Sequence, residues 1–459
     1  MTATTRSASA ESLPSLNWPL ICAWPLCLLC FTLPGRAGPD GADVLDVIAL
    51  MKVGVRFLTI GIFGITILRA WHSPRRPTVI ACLLPYGVFV AWAIVSVVWS
   101  PLKSVTIGQA GGLLGLYLFA MCIALLWKGP EDTARVVFHL TAATAVFCTA
   151  MTIIDLGWHD LSGLNREEWT EEAGASTGFI HPTTGGATAS IGLVLLCGAW
   201  LVLRAPWASR LLVPAGIFFA AMLFLAMSRT AIGVGLAVLA PVFLFRLNPL
   251  LSAAVVLAVS LGGFAYLMVD PGLDGPDEII QKVAAKVTRG ESAESLSSFT
   301  GRTDLWDAIW VEVYRSPYIG HGYFVSSAKG EIDVWQGPAN RTAHNMLLQV
   351  LVSTGAVGVC LFVFGLLWPI FLAARSFLET DRRLPMSATQ RDAGWFLLLC
   401  LAWYLGWGQM SESFMGPVQA ESVIFYGLLG LAVAHVRSGL LFMPRRDERL
   451  APRAAEAAV

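Results

Sequence analysis

The chain has 459 residues, of which 56% are hydrophobic and only 14% charged, with 31 basic against 31 acidic side chains, and its mean hydropathy is +0.66. Soluble domains carry about 25% charged residues, so this composition excludes a soluble globular enzyme and points to an all-α polytopic membrane protein. No P-loop, no dinucleotide-binding glycine turn and no nucleic-acid motif occurs, which argues against nucleotide-driven chemistry and a nucleic-acid partner.

A helix needs roughly 20 apolar residues to cross about 30 Å of hydrocarbon. Twelve stretches come close to or exceed that length: 17–34, 45–68, 79–99, 105–127, 135–155, 183–203, 207–227, 229–247, 250–269, 345–373, 393–411 and 420–442. They divide the chain into an N-terminal tail (1–16), a membrane domain (17–442) that includes one large polar loop (270–343), and a C-terminal tail (443–459). Windows seven and eight adjoin at Ser228-Arg229-Thr230, and the parity of the whole count depends on their being two helices. All nine cysteines fall inside the spans, so neither a disulfide framework nor a cysteine metal site is expected.

Short cytoplasmic loops accumulate Lys and Arg. With the N-terminus inside, the inner connections hold Arg69, Arg75, Arg76, Lys128, Arg135, Arg204, Arg210, Arg246, Arg375, Arg382, Arg383 and Arg391. The outer loop 156–182 carries Arg166 alone against Asp160, Glu167, Glu168, Glu171 and Glu172. Both termini are therefore expected in the cytoplasm, with the first span a retained anchor. The loop 270–343 then faces the far side, where it forms a cap: a short helix over 277–286, a polar stretch over 290–298, and an amphipathic helix over 303–314. In that last helix Leu305, Trp306, Ile309, Trp310 and Val313 make one apolar stripe, which either packs on the spans or lies at the headgroup level.

The ionisable residues near that face carry the chemical argument. Lys52 and Arg56 are spaced i, i+4 on one face of the second span; they either line a cavity or snorkel to the interface. His181 stands just before Pro182 at the start of span six, a position better explained as helix punctuation than as catalysis. Arg229 sits where two spans meet, and a guanidinium at that level either meets an anionic partner such as a diphosphate or snorkels to a headgroup. Arg302 opens the amphipathic helix and Arg341 precedes His344 by about one turn, each otherwise an ordinary loop charge, while His321 between two glycines is, like His181, better read as positional. His344, followed by Asn345, ends the loop, and an imidazole kept neutral by nearby cations would serve as a base toward an attacking hydroxyl. The plainer alternative is a helix-end His-Asn pair that satisfies backbone groups. Glu412 and Glu421 flank the last outer loop as candidates to bind a sugar or a cation, with no spacing to support either, and the cap carboxylates Asp304, Asp307 and Glu312 read as a solvated helix face with no metal site.

In order along the chain, Thr177-Gly178-Phe179-Ile180-His181-Pro182, Ser228-Arg229-Thr230, Gly301-Arg302 with Trp306, Gly320-His321-Gly322-Tyr323, and His344-Asn345 with Leu347, Gly355 and Gly358 resemble the O-antigen ligase and polymerase superfamily of bacterial inner-membrane glycosyltransferases. The set covers about residues 80–430 and is closest to the ligases. The resemblance implies a GT-C-type fold and a metal-independent, inverting, cofactor-free transfer at the periplasmic face. Its donor would be an undecaprenyl-diphosphate-linked glycan, its acceptor a hydroxyl of lipid A-core, and membrane lipids its surroundings. It gives His344 the base-like role and Arg229 and Arg302 the diphosphate contacts. Arg341, Lys52 and Arg56 join the donor site by position alone, with His181, His321 and Asn345 as accessory positions.

A polymerase joining two lipid-linked repeats, or a ligase acting on protein, shares the donor site and differs only in acceptor. A transporter is the reading from another class, though no internal repeat is evident and the unusual charges gather on one face; a noncatalytic assembly partner is a third, and it would not need His344 beside arginines. The charge alternation predicts a labelling pattern: in intact cells, an impermeant thiol reagent should modify a single Cys placed at Gly330 or Gly174 but not at Ser387 or Ala454. Labelling at Ser387 would reverse the topology.

Overall fold

A computed structural model describes residues 16–28, 47–158, 182–226, 228–247, 302–325, 343–378, 388–409, 411–412, 414–415 and 419–436, and every regular element among them is a helix. In chain order these are α1 (Asn17–Leu28), α2 (Val47–Arg69), α3 (Arg76–Val95) with a 3-10 turn (Ser96–Val98), α4 (Lys103–Leu126), α5 (Pro130–Trp158), α6 (Pro182–Leu201), α7 (Pro206–Leu225), α8 (Arg229–Leu247), α9 (Arg302–Arg315), α10 (Met346–Leu378), α11 (Ala388–Trp407) and α12 (Ala420–Ala434). Prolines open α5, α6 and α7, where their missing N–H costs nothing. Helices α7 and α8 are separate, divided between Leu225 and Arg229, so windows seven and eight are two elements.

Among the described residues, seven helices are long and apolar enough to cross a membrane: α2 to α7 and α10. The apolar parts of α8 and α12 are shorter, and α1 has only 12 residues. The expected span 250–269 and the expected cap pieces 277–286 and 290–298 lie outside the described residues. The cap helix predicted over 303–314 is α9, extended by one residue at each end.

Helix α12 is the axis of the bundle. All of its residues are buried, and it packs against α1, α3, α4, α5, α6, α10 and α11. Gly430 lets the α4 backbone approach, since a Cβ there would stand 2.6 Å from the Ala120 carbonyl oxygen; small residues at such crossings are how helices pack where water exclusion gives no drive. Each end of α12 is tied. At one end, Gln419 and Ser422 form a reciprocal capping box. At the other, the Arg75 guanidinium donates to the Ala434 carbonyl and lies 4.6 Å above the Trp127 ring. Burial lowers the Arg75 pKa to about 10, which still leaves it charged at neutral pH.

Span ten, expected as one continuous helix, is broken. Gly355 has φ 68° and ψ −173° in the middle of α10, a region essentially restricted to glycine. The break frees backbone groups on both sides, and the segment after α9 takes them up. The Ala356 and Val357 amides donate to the Pro317 and Tyr318 carbonyls at 2.8 and 3.2 Å, while the His321 and Gly322 amides donate to the Val352 and Ser353 carbonyls at 3.1 and 2.9 Å. Trp92 Nε1 donates to the Thr354 carbonyl at 3.2 Å. The close approach needs glycine on both strands of the contact: a Cβ on Gly355 would fall 2.1 Å from the Tyr318 carbonyl carbon, and one on Gly320, itself at φ 65°, would fall 2.4 Å from the Ser353 carbonyl carbon. Tyr323 and Phe324 continue the inserted loop into the core, where both are fully buried, and the Tyr323 amide donates to Ser96 Oγ at 2.9 Å. Gly355→Ala should therefore destabilise by roughly 3 kcal/mol or more, combining backbone strain with a backbone clash. Thermal unfolding in detergent reads this out, and an unchanged melting temperature would mean the break relaxes into a regular helix.

Candidate functional site

Helix α9 stands on the first half of α10 over a small apolar core of its own: Ile309, Val313, Val325, Ala343, Leu348 and Val352, flanked by Leu305 and Trp306. Most of the stripe predicted from sequence is thus buried, but Trp310 turns outward at 43% exposure. The Trp306 indole donates to the Ala343 carbonyl at 2.9 Å. From the other side, the Ala343 amide donates to Gln349 Oε1 at 2.9 Å. Asn345 caps α10, its Oδ1 accepting from the Leu348 amide at 3.0 Å, and its Nδ2 donates to the Gln409 carbonyl at 3.1 Å. The Met346 amide donates to the Gly408 carbonyl at 2.8 Å. Both neighbours of His344 are thereby fixed to α9, α10 and α11.

Held between them, His344 adopts φ 47°, a left-handed conformation uncommon outside glycine. Its Nδ1 lies 3.8 Å from Glu412 Oε2, with 29% of the histidine side chain and 9% of the carboxylate side chain exposed. That distance is an electrostatic contact, longer than a hydrogen bond. Glu412 Oε2 and both carboxylate oxygens of Glu421 are buried without a hydrogen-bond partner among the described residues, and Glu421 lies in the first turn of α12 with no exposure. Sequence reasoning offered both glutamates for a sugar or a cation and linked neither to His344. The one signal that could have paired Glu412 with His344 is its place just past α11, the helix that receives Asn345 and Met346.

The other candidates distribute as follows. Arg229 is the first residue of α8, which packs on α6 and α11; Gly406 of α11 faces Val234, and two residues later Gly408 receives the Met346 amide. Arg302 is the first residue of α9, one turn before Trp306. Helix α8 thus contacts α11 at Val234, and α9 contacts Ala343 through Trp306. Lys52 and Arg56 belong to α2, where Arg56 lines a seam with Gly108, Gly111, Gly112 and Gly115 of α4. His321 Nε2 donates to the Glu312 carbonyl at 3.0 Å and lies 3.7 Å from its carboxylate, which also takes Arg315 at 2.6 Å. This ties the glycine loop back to α9 and is a structural role. Glu312 itself is 3% exposed, so the expectation that it decorates a solvated face is corrected: it points inward to bind that loop. His181 and Arg341 lie outside the described residues.

Residues 214–363 match the family model of the O-antigen ligases. The match runs from within α7 to within α10 and takes in Arg229, Arg302 and His344. It bears out the resemblance read from the sequence, and it supports glycan transfer of the ligase or polymerase type in a multi-helix membrane protein. No curated protein matches the chain. Within the matched segment, Gln349→Leu preserves volume but leaves the buried Ala343 amide unpaired, at a cost of about 1–3 kcal/mol. A melting temperature equal to wild type would show that the amide has another acceptor and that Gln349 does not hold His344 in place.

Proposed function

We propose that the protein is an O-antigen ligase that moves a glycan from undecaprenyl diphosphate to a hydroxyl of lipid A-core at the periplasmic face of the bacterial inner membrane, on a GT-C-type fold of about twelve spans. The observation that carries this reading is His344 in its pinned, left-handed conformation beside the buried carboxylate of Glu412, within the segment that matches the ligase family. A strained backbone over-determined by its neighbours is characteristic of working residues.

The transfer is a single inverting displacement. The acceptor hydroxyl oxygen bonds to the anomeric carbon as the bond from that carbon to the diphosphate oxygen breaks, and the hydroxyl proton passes to His344. With Nδ1 turned to Glu412, Nε2 is the atom that takes the proton, and the carboxylate stabilises the imidazolium as it forms. Arg229 and Arg302 hold the departing diphosphate, assisted by Arg341 and, farther into the bundle, Lys52 and Arg56; a planar guanidinium fork suits that charge. No metal is required, because the donor arrives activated and arginines meet the leaving group.

The broken α10 is a feature that transporters use to bind substrates with free half-helix ends. Here those ends are taken by residues 317–322, which favours transfer over transport. Purified protein should remain active in excess EDTA. His344→Ala should lose about 10²-fold or more in rate with donor binding retained, and Glu412→Gln on the order of tenfold. Loss of activity on chelation, or a normal rate for His344→Ala, would refute the mechanism. In a deletion strain, loss of all polymer on lipid A-core identifies a ligase, whereas a single capped repeat identifies a polymerase.

A further inference from the structure

The face of α9 turned away from its buried stripe changes character along the helix. Near the start it presents Asp307, which is exposed. Over the last two turns and the following bend it presents Trp310 at 43% exposure, Val311 at 53%, Tyr314 at 76%, Tyr318 at 73% and Ile319 at 41%. Trp310 and Tyr314 lie ring against ring, with centroids 6.2 Å apart. A helix and bend that merely stand in water have no reason to expose five large apolar or aromatic residues, three on the helix and two on the bend.

The hydrogen bonds at the break in α10 say what that face meets. Because the Val357 amide donates to the Tyr318 carbonyl, Tyr318 is held at the level of Val357. From Ala356 to Leu378 the second half of α10 is about 34 Å long at 1.5 Å per residue, slightly more than the roughly 30 Å of hydrocarbon it has to cross. A half that just crosses the hydrocarbon puts its upper end, and Tyr318 with it, at the hydrocarbon–headgroup boundary on the His344 side. Val357 is itself 41% exposed there, and below it Cys360, Phe364, Leu367 and Phe371 continue an open apolar surface down α10. The aromatic face of α9 extends this lipid-facing surface upward, and tyrosine and tryptophan are the residues that favour the headgroup zone.

We propose that the C-terminal half of α9 is an interfacial anchor, with Trp310, Tyr314 and Tyr318 seated among the lipid headgroups and glycerol backbones of the leaflet on the His344 side. Its N-terminal half rises out of the bilayer to hold Ala343 through Trp306. The helix thus works as a strut that sets the height of His344 above the membrane. Arg315, 54% exposed at its side chain, sits at the end of the helix where lipid phosphates lie.

Photo-cross-linking in native membranes tests this without relying on activity. Full-length protein carrying p-benzoylphenylalanine in place of Tyr314, of Tyr318, or of Asp307 is irradiated and adducts are identified by mass spectrometry. Phospholipid adducts at positions 314 and 318, at least fivefold above position 307, are expected. Adducts only to this chain or to another protein, or equal lipid yield at 307, would overturn the proposal. A melting temperature measured for each variant confirms that it is folded, and Tyr314 is exposed enough for the replacement to be borne. The result stands whichever acceptor the enzyme uses.

Discussion

The whole arrangement depends on four backbone hydrogen bonds across one break in a helix. Buried away from water, an unsatisfied amide or carbonyl costs a few kcal/mol, so a helix broken at Gly355 persists only if another segment supplies the missing partners. Residues 317–322 do so from both directions. This explains why two glycines face each other at the contact, why the loop is held by Glu312 and His321, and why Tyr323 and Phe324 follow it into the core. The cap is thereby bonded into the membrane domain through its main chain, which is more restrictive than side-chain packing alone.

The same device places the site. The first half of α10 stands apart from the spanning half and carries at its tip Asn345 and His344, fastened to α9 by Trp306 and to α11 by Gly408 and Gln409. Three elements distant in sequence therefore converge on one imidazole, and the carboxylate it faces comes from the turn after α11. Electrostatic contacts of this kind gain most where water is scarce, and Glu412 is nearly buried.

Much of this was legible in the sequence. Apolar length and charge alternation define a polytopic helical protein; the i, i+3, i+4 stripe gives α9 almost to the residue; and the ordered motifs with His344-Asn345 point to the family now matched over 214–363. The break at Gly355 was not legible, because Thr354-Gly355-Ala356 inside an apolar run reads like any tolerated glycine in a span, and the non-helical dihedral is imposed by a partner segment some 35 residues upstream. The pairing of His344 with Glu412 was hidden for a similar reason: it depends on how α10 and α11 pack, which no local spacing encodes. Glu312 was misread because helix periodicity separates faces but does not tell which polar residue will be needed by an incoming loop.

The order of these pieces along the chain has a consequence for biogenesis. Residues 317–322 emerge from the ribosome before the helix they complete, so the acceptors and donors for the break are already made when α10 begins to insert. The stretch from Ala356 onward is long enough to cross as an ordinary span, whereas the hydrogen-bond partners on both sides of the break come from that earlier loop. The length that spans and the bonds that complete the His344 end of the helix are thus encoded in separate parts of the chain.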